Sequence, residues 1–190
     1  MTTPTMPNAP RDEPWQRGPV PGVPAALQPA AHAIIAAHEE LTTVARPLAT
    51  DALWARPAGL ASVGFHVEHV GGVLDRLFTY ARGATLDETQ RAALQREGQP
   101  GDPPRDAATL LAALDTAVAR ALDGLRATDP ATLAEPRALG RRALPTTVGG
   151  LLFHAAEHAQ RHTGQAFVTA RIVRAFGVPD GGGAPAGAVT

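Results

Sequence analysis

No cysteine occurs anywhere in the sequence, and that absence removes disulfides, zinc thiolate sites and cysteine nucleophiles together. Any catalytic group must therefore be an oxygen, a nitrogen or a bound ion. Lysine is also missing, so every basic side chain is an arginine; a GC-rich genome produces that bias as readily as selection, and no mechanism is read from it. Aromatic residues are only 4% of the chain against 44% for apolar residues as a whole, and abundant alanine suits closely packed helices better than a sandwich of bulky strands. The formal net charge of -1 lacks the positive field that displaces counterions from phosphates, so no nucleic-acid partner is expected. Long apolar runs are absent too: no segment approaches the length needed to span a bilayer, and the first thirty residues hold no apolar signal core. No membrane association is expected, and the expected location is the cytoplasm.

What is present is helical periodicity. A length of 190 residues suits one domain with a proper core. The opening 1-24 and the closing 178-190 are rich in proline and glycine without periodicity, so both are expected to be flexible tails around a helical domain at 25-177. Four long blocks carry apolar residues at helical spacing. The first runs from about Ala25 to Ala45 and ends before Pro47. The second begins near Ser62 as N-cap and carries Val63, Val67, Val70, Leu74, Leu77 and Ala81 on one stripe. The third runs from about Asp106 to Arg126, and the fourth follows Pro145, capped by Thr146 or Thr147, to about Phe176. "LDETQRAALQREG" predicts a short helix, no stretch alternates as a strand, and the fold class expected is all-α: a four-helix bundle with one long crossover.

The fourth block contains "LLFHAAEHAQRHTGQ", which sets His154, His158 and His162 four residues apart in a chain with seven histidines. At about 100° per residue His162 falls on the apolar face, His158 slightly off its centre and His154 at the margin. Imidazoles on a buried face need partners, because desolvation opposes their protonation and each carries a donor and an acceptor. A metal ion is one such partner, and residues at i and i+4 are the spacing with which a helix supplies two ligands; hydrogen-bonded core or surface histidines are the plainer alternative. "GFHVEHVGGVLDRL" in the second block offers His66 and His69 as a third nitrogen from across the core. Periodicity places His66 nearer the middle of its stripe and His69 nearer the edge. Glu39, Glu40, Glu68 and Glu157 are candidate carboxylates to support a ligand histidine, while His32 and His38 read as ordinary surface or margin residues. Gly71 and Gly72 cost about 1 kcal/mol each inside a helix, offset by close helix packing or by room beside His69. Phe153 and Phe167 fall on the polar side of the fourth block and suggest a subunit contact.

At "SVGFHVEHVGGVLDRLFTYARG" and "LPTTVGGLLFHAAEHAQRHTGQ" the chain resembles the DinB/YfiT superfamily of metal-binding four-helix-bundle proteins, over roughly Ala25 to Phe176. The resemblance implies that His69, His158 and His162 are the metal ligands, His69 because "VGGVLDRL" follows it as in that family. Thr163 departs from the family pattern, where arginine is common, with Arg161 displaced to the other side of the histidine. Three nitrogen ligands leave a divalent ion, zinc or nickel foremost, with an open position. The resemblance further implies a homodimer acting on a small-molecule substrate, with a metal-dependent transferase using a low-molecular-weight thiol as the first expectation. A non-catalytic metal- or small-ligand-binding stress protein and a metal-dependent hydrolase are the alternatives.

Overall fold

The computed structural model describes residues 12–177; the tail expected at 178-190 and the first eleven residues lie outside that range. The described chain is mostly helical. Its long helices are α1 (Gln28–Ala45), α3 (Val63–Ala81), α5 (Ala107–Ala127) and α6 (Val148–Phe176), with short α2 (Thr50–Trp54) and α4 (Glu88–Arg96) between them. Among the long helices, α3 and α6 start on caps expected from sequence and α5 on a further one, whereas α1 has no side-chain cap. Ser62 accepts from the Phe65 N–H, Asp106 from Thr109 and Thr147 from Gly150, each satisfying an amide that the first helical turn leaves unpaired.

Helix α6 packs on α3 and α1, and α5 packs on the same two helices from the other side. The core between them is built from Ile34, Leu41, Val67, Leu74, Leu114 and Leu151, all almost completely removed from water. Each such side chain contributes about 1.5–3 kcal/mol relative to exposure. Along α6 the buried positions include Ala155, Ala156, Ala159 and Ala166, whose small side chains allow a close approach to its neighbours.

Two features depart from the sequence reading. A two-stranded antiparallel hairpin, β1 (Pro136–Leu139) with β2 (Leu144–Thr147), precedes α6 where no strand was expected. Each strand is only four residues long, too short for an alternation of two or three positions to stand out from the sequence around it. Backbone bonds from Val148 N to Glu135 O (3.1 Å) and Gly149 N to Leu133 O (2.9 Å) tie the start of α6 to the segment before β1. Arg137 Nε donates to Ala81 O at the end of α3 (2.8 Å), so the hairpin links the two helices that carry the clustered histidines.

The second departure is the tail expected at 1-24. Within its described part Pro14–Arg17 form a 3-10 turn, Val23 is buried, and Arg17 grips Glu39 of α1 through two bonds of 2.6 and 2.8 Å. Gln28 adds bonds to the backbone of Val20 and Val23. Prolines restrict the unfolded chain, so few side-chain bonds suffice to order such a segment.

The glycines of α3 are not equivalent. A Cβ on Gly64 would lie 2.9 Å from the Trp54 ring, which is itself held by a 2.7 Å bond to Arg105 O, whereas a Cβ on Gly71 would meet Ala117 at an ordinary 3.6 Å. Gly71→Ala is expected to stabilise the fold by about 0.5–1 kcal/mol through helix propensity. Gly64→Ala is expected to lose about 1–3 kcal/mol through overpacking, both read from urea denaturation midpoints.

Candidate metal centre

Helices α3 and α6 share the broadest interhelical contact of the fold, and the histidines meet there. One ligand atom from each of His69, His158 and His162 lies within 4.8 Å of the others. Two nitrogens bound to one tetrahedral zinc stand about 3.3 Å apart, so the spread is small enough for side-chain adjustment alone to close. His69 and His158 already oppose each other, Nε2 to Nε2, at 2.9 Å. The ring centroids of His69 and His162 are 4.2 Å apart and those of His158 and His162 4.5 Å.

His66 stands behind this group. It is only 3% exposed, and its Nδ1 lies 3.0 Å from Nδ1 of His162. Two such nitrogens share a single proton. With that proton on His162, its Nε2 keeps a free lone pair and His66 acts as acceptor. Periodicity favoured His66 because it reports burial, and His66 is indeed the more buried ring; the converging set nevertheless contains His69. His154, 45% exposed at its side chain, pairs with Glu157 at 3.1 Å outside the cluster.

Burial sets the charge state. It pushes the His158 imidazole down to about 4 and that of His162 to about 3, with the neighbouring His69 adding to both. His66 is lowered to about 4 for the same reasons. All three are neutral at pH 7, the form in which an imidazole donates to a metal. Phe65 stacks on His69 with ring centroids 5.0 Å apart and covers one side of the site. Nδ1 of His158 is buried without a hydrogen-bond partner, so the surrounding protein groups leave the cluster incompletely satisfied. Three imidazole nitrogens that converge from two helices are a donor set that fits a divalent ion.

The carboxylate beside the cluster is Glu97, which the sequence reading did not single out. Its Oε2 lies 3.0 Å from Nδ1 of His69, and both its oxygens face Arg76 Nη2 at 3.2 and 3.3 Å. The approach to His69 is close but off the ring N–H direction, so Nδ1 has a charged neighbour without an aligned hydrogen bond. The expected carboxylates are engaged elsewhere. Glu68 takes bonds from Arg105 (2.6 Å) and the Gly98 amide (2.7 Å), Glu157 pairs with Arg161 and His154, and Glu39 with Arg17. Glu40 lines a hollow of about 1090 Å³ with Trp15, His32 and Phe167, a space that none of the clustered histidines lines. Thr163 is buried and bonds back to Ala159 O (2.8 Å), while Arg161 is turned to Glu157 at the surface.

One sequence signal pointed to Glu97. It is the C-terminal cap of α4, where the helix dipole disfavours an acid, so a carboxylate there calls for a compensating partner. The glycines of "VGGV" divide between two surroundings: Gly71 faces Leu114 and Ala117 of α5, whereas Gly72 faces Arg76 and Glu97.

The lowered imidazole pKa values have a signed consequence. Between about pH 6.5 and pH 4 the unfolded chain binds protons at His66, His158 and His162 that the metal-free native state does not, so stability rises with pH across that window and is lost on acidification. Urea midpoints of metal-free protein should fall as pH drops from 6.5 to 4. A variant with glutamine at the three positions should show a shallower slope.

The family described as the DinB superfamily matches residues 33–166. No curated protein matches the chain. Because the family match takes in both histidine-bearing segments and more than half of the sequence, this protein belongs to the DinB superfamily.

Proposed function

We propose that His69, His158 and His162 hold one divalent ion, zinc or nickel, and that the protein is a metal-dependent transferase acting with a low-molecular-weight thiol. The observation that carries this reading is the convergence of three imidazole donors from two helices within 4.8 Å. When bound, the ion supplies Lewis acidity that holds a thiol as thiolate near neutral pH. The chain's own part is to present neutral rings from rigid helices, with Phe65 shielding His69 from water. A transferase is favoured over a hydrolase because Glu97, the carboxylate beside His69, is paired with Arg76 and is not free to act as a general base.

The ring of contacts from α1 to α6, α3, α5 and back to α1 supports a four-helix bundle with a long crossover. A cavity of about 210 Å³, lined by Val67, Gly72, Glu97, Arg105, Leu110 and Leu114, borders Glu97 but, like the larger hollow, is lined by none of the clustered histidines. A homodimer is supported by Phe153 and Phe167, exposed by 69% and 45%; Phe153→Ser should shift the sedimentation coefficient toward that of a monomer.

Elemental analysis of purified protein should find the ion in the wild type and lose it in His69→Ala, His158→Ala and His162→Ala. Retention in all three would remove the metal centre. Loss in His66→Ala but not in His69→Ala would transfer the ligand role to His66. Metal-loaded protein should consume glutathione, bacillithiol or mycothiol with a model electrophile; no loss of free thiol across that panel would end the transferase reading. Product release from ester or amide probes without thiol would replace it with a hydrolase, and silence in both assays with metal bound would leave a binding protein.

A further inference from the structure

The connection between α3 and α5 brings an acid to the one clustered histidine that α3 supplies. Asp87 and Gln90 form a reciprocal cap at the start of α4. Gln90 Nε2 also donates to Asp75 Oδ2 (2.7 Å) and Thr79 Oγ1 (2.8 Å), which fastens α4 along α3. At the other end Gly98 donates its amide to Glu68 (2.7 Å) and has a positive φ of 80°. A Cβ there would stand 2.8 Å from the Phe65 ring, so glycine serves both the conformation and the close approach. Glu97 is thereby held between two anchored points, its side chain only 9% exposed.

Gly72 belongs to the same arrangement. A Cβ at this position would lie 2.6 Å from Arg76 Nη1 and 2.7 Å from Glu97 Oε1, so the ion pair occupies the volume that any other residue would fill. A helix-interior glycine forgoes about 1 kcal/mol relative to alanine, and an acid at a helix C-terminus opposes the dipole. Both costs fall on the same two-residue contact, next to the same imidazole. Closer helix packing does not account for Gly72, since its nearest neighbours are the ends of two charged side chains.

We infer that Glu97 is a positioning residue for His69: with Gly72 giving it room and Arg76 holding it from the far side, it keeps the His69 proton on Nδ1 and the Nε2 lone pair directed into the histidine cluster. The carboxylate stands 3.0 Å from Nδ1, a nitrogen with no other acceptor, and is placed to serve as that acceptor. Nε2 of His69 already faces Nε2 of His158 at 2.9 Å, the orientation this tautomer requires. The inference rests on His69 being a ligand, as proposed above, but its structural content is the tautomer, which can be read without metal.

The test uses the full chain labelled with ¹⁵N, without metal for tautomers and with zinc for affinity. Long-range proton–nitrogen correlation should show His69 as the Nδ1–H tautomer in the wild type. Glu97→Ala should lose that preference and bind zinc about 10–100-fold more weakly in a chelator competition. Glu97→Gln keeps an acceptor, so it should retain the tautomer with a smaller loss of affinity. Gly72→Ala guards against misfolding, because only the ends of flexible side chains must move: its thermal midpoint should stay level or rise while the tautomer and zinc affinity follow Glu97→Ala. An Nε2–H tautomer in the wild type, or an unchanged tautomer and affinity in both Glu97→Ala and Gly72→Ala, would overturn the inference. Failure of the wild type to bind zinc would instead count against the three-histidine centre, and the metal-free tautomers would still decide the role of Glu97.

Discussion

Imidazole rings occupy positions between α3 and α6 that aliphatic side chains would otherwise fill, and they pair with one another there while Nδ1 of His69 and of His158 lacks a hydrogen-bond partner. Burial keeps His66, His158 and His162 neutral, so each ring carries one proton and one lone pair. Where the proton of each ring sits then determines which nitrogen is free to bind. Side-chain packing elsewhere serves this arrangement: the buried alanines of α6 bring its backbone near α3, and the hairpin joined to both helices holds their relative position.

The outline of the fold was legible because it rests on periodicity and caps. The stripe Val63, Val67, Val70, Leu74, Leu77 is buried as its spacing requires, and Ser62, Asp106 and Thr147 begin their helices as short polar caps do. The hairpin was not legible, since four-residue strands are too short for alternation to stand out, and α2 at five residues is too short for a helical period. Order in Pro14–Arg17 was hidden for another reason. It depends on Arg17 meeting Glu39, a contact between residues far apart in sequence that no local pattern encodes.

The candidate site was legible in part. Periodicity ranks residues by burial, and by that measure it was right about His66, the deepest of the rings on α3. A ligand, however, needs one face toward its neighbours and the other toward a supporting group, which places it at the margin of a stripe. His69 has that placement, with one nitrogen facing His158 and the other beside Glu97. Family resemblance selected it for a reason that a helical projection does not contain.

Glu97 also closes a segment, between α3 and α5, that polar ties hold against α3. Helix α4 contributes no fully buried residue and so adds little to the core. Its polar ties to Asp75, Thr79 and Glu68 instead fix where its C-terminal end stands relative to α3. The C-cap residue Glu97 meets the half-buried Arg76 beside Gly72, which gives α4 a defined end point. The unfavourable local choices, an acid at a helix C-terminus and a glycine within a helix, coincide in space because one contact requires both. Local rules broken together at a single place beside polar buried rings are the physical mark of a site that packing alone does not explain.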